Sequence, residues 1–282
     1  EEFSRGLVPD SHPLCFGLAD GRVNEAAAYV RAADAVLLLG KKIDFMINFG
    51  DPPTFSPECK FVQVEPSVDL IGLSRGVDVA VQGDVGAVVN QLSSEAEKHG
   101  WSEHPMVQDL EAISIDQRAR LEALADSEGN THAMDVHRAL SPLVTGNTNL
   151  VFEGSDFAFY GAAYHPCERP NSWFTNGTLG MIGWGVPFSI GLKVANPNSM
   201  AILLTGDGAF GFNAMELDTA VRHAVPIVII IGNDGVWGID YHQQVDLYGR
   251  AVATELLPTR YDKMAESLGA HGEYVETTDG LE

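Results

Sequence analysis

Two aspartates carry the strongest chemical signal in this sequence. Asp207 stands between glycines in Gly206-Asp207-Gly208, directly after the apolar run Met200 to Thr205. Asp234 lies 27 positions further on (234 − 207), in Gly232-Asn233-Asp234-Gly235, directly after the apolar run Ile227 to Ile231. Between the two runs, Asn213 to His223 has helical composition. Strand, helix, strand at this spacing predicts a right-handed crossover with parallel strands, so both acids emerge at one carboxyl edge, where open α/β sheets bind ligands. The flanking Gly206 and Gly208 allow a tight turn and close approach of backbone N–H groups to an anion. Two carboxylates beside such a turn suit a hard divalent cation that bridges protein oxygens to phosphate oxygens, and Mg²⁺ with a diphosphate is the economical reading. A lone Gly-Asp-Gly would read as a plain turn after a buried strand. A phosphoacceptor aspartate is a further alternative, but it leaves the second Gly-and-acid turn unexplained.

The elements that must hold these residues follow from periodicity. Asn24 to Ala33 reads as a helix, and Ala35 to Leu39, Lys60 to Glu65 and Val77 to Gln82 read as strands without polar alternation. Strands of this kind separated by helices predict a parallel sheet covered on both faces. Residues 1–95 are therefore expected to form one α/β domain, and residues 96–129 a helical connector with a helix through Val107 to Leu124. After Glu128-Gly129-Asn130 a second α/β domain is expected over residues 130–282, with a helix near Met134 to Leu143 and strands at Asn149 to Phe152, Met200 to Thr205 and Pro226 to Ile231. The fold class is α/β, two doubly wound parallel-sheet domains.

Composition narrows the class of partner. The chain has 282 residues, 45% of them apolar, and 39 acidic against 17 basic side chains, a formal charge of -22. That charge repels nucleic acid and anionic membranes and leaves a small molecule or another subunit as the partner. Cys15, Cys59 and Cys167 fit neither a disulfide framework nor a zinc site and favour a reducing compartment. No apolar run reaches the length of a membrane span. A cytoplasmic protein is expected.

At the paired turns the sequence resembles the thiamine diphosphate enzymes of the acetolactate synthase type, whose signature is Gly-Asp-Gly followed further on by Asn-Asn. The stretch Gly206 to His223 is similar throughout to that family, and particularly to its 2-hydroxyacyl-CoA lyase, oxalyl-CoA decarboxylase and benzaldehyde lyase branches. One position departs, since Asp234 stands where the family usually has its second Asn. Aligned by spacing, the resemblance implies Mg²⁺ ligation by the side chains of Asp207 and Asp234 and by the Val236 carbonyl; aligned by residue type it would choose Asn233 and Gly235. Asn176 to Gly183 also looks like a family element. It implies a Gly180 carbonyl that accepts a hydrogen bond from the cofactor's aminopyrimidine and an Ile182 side chain that wedges the cofactor into its bent form, so that the base is internal to the cofactor. Gly206, Gly208, Ala209, Phe210 and Trp237 belong to the same cofactor set. Ser155 and Asp156, in Glu153-Gly154-Ser155-Asp156, would open a helix toward the diphosphate; a plain N-cap is the alternative for Ser155.

Ala33 to Phe45 and Lys60 to Glu65 resemble the Rossmann-like middle domain of 2-hydroxyacyl-CoA lyases, which implies an ADP or CoA site at Gly40, Lys41, Glu65, Asp84 and Val85. No Gly-x-Gly-x-x-Gly accompanies them, and Lys41 and Lys42 read equally as solvated. His165 and His223 read as core or surface histidines, and Tyr241, His242 and Gln243 as a mobile segment. The family's pyrimidine-binding domain, with its activating glutamate, does not appear in the sequence, and the chain stops before the expected last strand and helix. The resemblance thus implies the central and diphosphate domains of a longer polypeptide, shared sites in a homodimer or homotetramer, and an acyl-CoA or 2-oxo or 2-hydroxy acid substrate.

Overall fold

A computed structural model describes residues 4–102, 104–125 and 131–281. Packing divides them into two units, residues 16–117 and residues 4–15 with 118–281. The division falls inside a helix and gives residues 4–15 to the second unit, whereas the sequence leads to the expectation of a domain at 1–95 and a connector at 96–129. The Glu128-Gly129-Asn130 boundary lies outside the described residues.

The first unit holds a three-stranded parallel sheet, β1 (Ala35–Leu39), β2 (Lys60–Glu65) and β3 (Val79–Gln82), in that order. The third strand is two residues shorter than the expected Val77 to Gln82. Two helices follow, α1 (Val85–Ala96) and α2 (Met106–Leu124), the latter crossing the division at Gln117. Glu25 to Ala32 winds as a 3-10 helix, its start capped by the Asn24 side chain. The core gathers on one face of the sheet, where Leu38 and Phe61 meet Ile43, Ile47 and Phe55.

The second unit runs α3 (Ala133–Leu140), β4 (Thr148–Glu153), α4 (Asp156–Tyr164), β5 (Trp173–Phe174), α5 (Gly185–Ala195), β6 (Met200–Gly206), α6 (Asp207–Gly211), α7 (Glu216–Arg222), β7 (Val228–Gly232), α8 (Gly238–Tyr248) and α9 (Tyr261–Ser267). All strands are parallel in the order β5-β4-β6-β7. Every residue of β4 and all of β6 but Met200 are buried, which explains why neither strand alternates apolar with polar residues. Val151 and Leu203 join Val186, Phe210 and Leu217 in the main core cluster. Phe152, on the opposite face, stacks on His165 and lies tilted against Trp173. From β4 the chain moves outward to β5, then returns past β4 to add β6. The connections therefore leave in opposite directions at β4 and β6, a topological switch point of the kind that opens a crevice at the carboxyl edge. Tyr241, His242 and Gln243 lie within α8; they are helical rather than a loose segment. β5, α5 and α9 carried no periodicity strong enough to be read beforehand.

Candidate functional site

The crevice at the β4/β6 switch point gathers most of the candidate residues. β6 and β7 pair Gly206 with Gly232, so Asp207 starts α6 one residue past the sheet and Asp234 follows two residues past it. Asp207 is only 2% exposed. Its Oδ1 accepts from the Gly208 amide at 2.8 Å and its Oδ2 from the Gly235 amide at 3.0 Å, which ties the two turns together. Asp234 sits at the exposed rim, and its Oδ1 accepts from the Val236 amide at 3.2 Å. Desolvation pushes both carboxyls above the usual carboxylate range; the charge of Asp234 adds to the rise at Asp207, and that of Asp156 to the rise at Asp234. Asn233 points its amide to the Thr259 carbonyl at 2.9 Å.

Glycines bring the remaining groups close. A Cβ on Gly154 would lie 2.7 Å from Ile182 Cγ2, one on Gly206 2.6 Å from Ser155 Cβ, and one on Gly208 2.8 Å from the Trp237 ring. A Cβ on Gly238 would meet Asp156 Oδ2 at 2.9 Å and Asp234 Oδ2 at 3.5 Å. Ile182, Ser155, Trp237, Asp156 and the two turn aspartates therefore border one small region. The Ser155 hydroxyl accepts from the Ala158 amide at 3.0 Å and caps α4, which leaves its proton free to donate. Asp156 Oδ2 lies 2.9 Å from His242 Nδ1, which binds α8 to the start of α4. Gly180 adopts φ +62°, a left-handed backbone for which glycine is suited.

Two residues of the expected cofactor set are buried. Phe210 is 2% exposed, packs in the core and meets the Tyr261 ring edge-on, and Ala209 is 1% exposed. A Cβ on Gly154 would lie 3.9 Å from Ala209 Cβ, so Ala209 borders the same region as Ile182. Of the histidines, His165 is buried and His223 is exposed. Periodicity assigns no role to Glu153, Asn213 or the Asp156–His242 pair; an acid directly after Leu150-Val151-Phe152 is the one signal for Glu153.

In the first unit, Gly40, Glu65 and Asp84 follow three adjacent parallel strands at one edge. Each has a local duty. Glu65 accepts from the Ser67 amide at 3.0 Å, Asp84 caps α1 through the Ala87 amide at 2.8 Å, and Lys41 Nζ pairs with Asp44 at 2.6 Å. Gly40 takes φ +70° and a Cβ there would lie 3.3 Å from Val85, the first residue of α1.

The arrangement in the second unit fits a cation that bridges to phosphate. Among the described residues no group of three His, Cys, Asp or Glu forms a closed metal site. Two carboxyls held beside backbone amides, with glycine in place of bulk at Gly206 and Gly208, match a Mg²⁺ ion that takes one or two carboxylates and completes its shell with phosphate and water oxygens. Models of known families match this chain over both units: the thiamine pyrophosphate enzyme central domain over residues 3–92, and the thiamine pyrophosphate enzyme C-terminal TPP binding domain over residues 154–282. The chain belongs to the thiamine pyrophosphate enzyme family. It is 34% identical to the acetolactate synthase large subunit IlvG of Mycobacterium tuberculosis, over 96% of this chain and 48% of that one. It is 30% identical to the 2-hydroxyacyl-CoA lyase of Saccharomyces cerevisiae, over 99% of this chain and 50% of the relative. With human 2-hydroxyacyl-CoA lyase 2 it shares 31% identity over 95% of this chain and 42% of the relative. The chain thus spans about half the length of the curated relatives it matches. No helix among the described residues is long and apolar enough to cross a membrane, and the three cysteines are free thiols.

Proposed function

We propose that this chain supplies the diphosphate- and Mg²⁺-holding part of an enzyme that uses thiamine diphosphate to cleave or form a carbon–carbon bond next to a carbonyl. The observation that carries the reading is the convergence of Asp207 and Asp234 at the switch-point edge, tied by the bond from the Gly235 amide to Asp207. Asp207, Asp234 and the Val236 carbonyl would hold the cation, Asp234 rather than Asn233 because Asn233 is turned to Thr259. Gly206 and Gly208 would keep side-chain bulk away from the diphosphate, Ile182 and Gly180 would hold the cofactor's middle, and Trp237, which a Cβ on Gly208 would meet, would close one wall. When bound, the cofactor supplies the electron sink that lets such a bond break. This chain's residues bind it, orient it and exclude water.

The preferred reaction is that of a 2-hydroxyacyl-CoA lyase, which gives an aldehyde or ketone and formyl-CoA. The second reading, an acetolactate synthase or benzaldehyde lyase-type carboligase, is favoured by the 34% identity to IlvG. Release of formyl-CoA from a 2-hydroxyacyl-CoA supports the first, and acetolactate from pyruvate supports the second. A relative that binds cofactor or nucleotide without turnover would yield neither. An ADP or CoA site at Gly40, Lys41, Glu65, Asp84 and Val85 rests on their shared sheet edge, and a cytoplasmic location rests on the free thiols. A homodimer or homotetramer with shared sites is supported by apolar side chains left open near the crevice, Leu179 at 90%, Met181 at 62% and Phe212 at 61% exposed.

Isothermal titration of thiamine diphosphate into full-length protein, with and without Mg²⁺, tests the reading. Binding should require the metal and be lost in Asp207→Ala; a wild type that takes up no cofactor in saturating Mg²⁺ would sink it.

A further inference from the structure

Glu153 closes β4 with a fully buried carboxyl, 0% exposed, that the binding scheme above does not use. Burial pushes it above the usual range, and each of its hydrogen bonds pulls it back. Its backbone partner is a donor, and the Thr205 hydroxyl divides its proton between this carboxyl and the Gly206 carbonyl at 3.2 Å. Oε1 accepts from the Gly185 amide at 2.8 Å and Oε2 from the Thr205 hydroxyl at 3.1 Å, and the backbone of Gly183 and Trp184 favours its charged form. An ionised carboxylate, acceptor-only, is the complement of such a set. Burying it there is tolerable only because every bond is made.

The partners also have a common destination. Thr205 pairs with Glu153 across β4 and β6 and stands two residues before Asp207. Gly183 to Gly185 lead into α5, whose N-cap Trp184 makes no side-chain cap bond, so Glu153 caps that helix from the sheet. A Cβ on Gly185 would fall 2.6 Å from Glu153 Oε2, so glycine is what lets the carboxyl approach. Ile182 immediately precedes this held segment and rests on Gly154, the residue after Glu153. On its other side the Gly183 carbonyl accepts from the Asn213 side chain, past the end of α6. The segment bearing Ile182 is thus gripped through the Gly185 amide by the end of β4 and through the Gly183 carbonyl by the chain leaving the Asp207 turn.

We propose that Glu153 is a positioning residue of the cofactor site, fixing the height of Ile182 above the β4/β6 crevice relative to the Asp207 turn. The proposal rests on the functional reading above. Glu153→Gln keeps the shape but puts an NH₂ group in place of one acceptor oxygen, and Glu153→Asp keeps the charge but withdraws it by a methylene. Two measurements on full-length protein test the role: amide hydrogen exchange without cofactor, and titration of thiamine diphosphate in saturating Mg²⁺. In either variant that folds, exchange should rise in residues 176–185 with β4 and β6 unchanged, and the Kd should rise about tenfold or more. Unchanged exchange, or faster exchange with an unchanged Kd, overturns the role; a merely structural carboxyl would lower the melting temperature and leave the Kd alone. A wild type that takes up no cofactor overturns the functional reading as well, and the wild-type titration tells the two failures apart.

Discussion

At Asp234 the chain places a carboxylate beside Asp207, and a third, Asp156, close behind. Like charges in a partly desolvated site disfavour each other, and a bound cation relieves them. Asp234→Asn should therefore have two opposite effects. Without metal, removing one charge stabilises the protein and raises the melting temperature by about 2 °C, the scale of roughly 1 kcal/mol in a chain of this size. With thiamine diphosphate present, the Mg²⁺ concentration needed for half-saturation should rise about tenfold, since one charged ligand becomes neutral. Differential scanning fluorimetry and a Mg²⁺ titration read the two effects. A variant that melts lower and binds Mg²⁺ as well as wild type would show that Asp234 has a packing role instead.

Among the elements, α3 and α4 meet through buried histidines. His137, on α3, bonds through Nε2 to the Phe157 carbonyl of α4 at 2.8 Å and stacks on that residue's ring. His165, just past α4, lies edge-on to it at 5.4 Å between ring centres. Burial holds His137 down to about 4 and His165 to about 3, with Arg118 and His137 adding to the effect on His165 and His132 to that on His137. Both folded values lie below the ordinary 6.5, so the unfolded chain binds the extra protons. Their neutral burial is accommodated above about pH 6.5, and stability is lost as pH falls from there toward 4 and 3. By pH 5 the loss should reach about 2 kcal/mol per histidine. The raised carboxyls of Asp207, Asp234 and Glu153 act in the opposite direction. The comparison that isolates the histidines is wild type against His165→Phe, whose urea midpoint should fall less between pH 7.5 and pH 5. Parallel slopes in the two proteins would remove His165 from the account.

For the whole molecule, a formal charge of -22 opposes compaction. Raising sodium chloride from about 10 mM to about 0.2 M shortens the screening length from roughly 30 Å to roughly 7 Å, so the melting temperature should rise by a few degrees without any ligand. Choline chloride should act alike, which separates screening from cation binding. A melting temperature that falls or stays level would mean that local ion pairs such as Arg260–Asp262 outweigh the general repulsion. Cofactor titrations accordingly need fixed ionic strength.

The amino-acid sequence by itself determined the strand cores and the two turns, because an unbroken apolar run followed by Gly-Asp-Gly leaves few alternatives to a buried parallel strand with its acid at the edge. Asp207 and Asp234 were legible for that reason. Only the tertiary structure decided what stands beside them. Packing turned Phe210 into the core, made the Ser155 hydroxyl oxygen a helix cap, and made Tyr241 to Gln243 part of a helix. It also gave residues 4–15 to the second unit, where the Cys167 amide bonds to Asp10 at 2.8 Å across 157 positions. These outcomes depend on contacts distant in sequence, to which local periodicity is blind. Glu153 makes the same point from the other side: a carboxylate in a fully buried strand looks costly until folding brings it the backbone of Gly183 to Gly185 and the Thr205 hydroxyl.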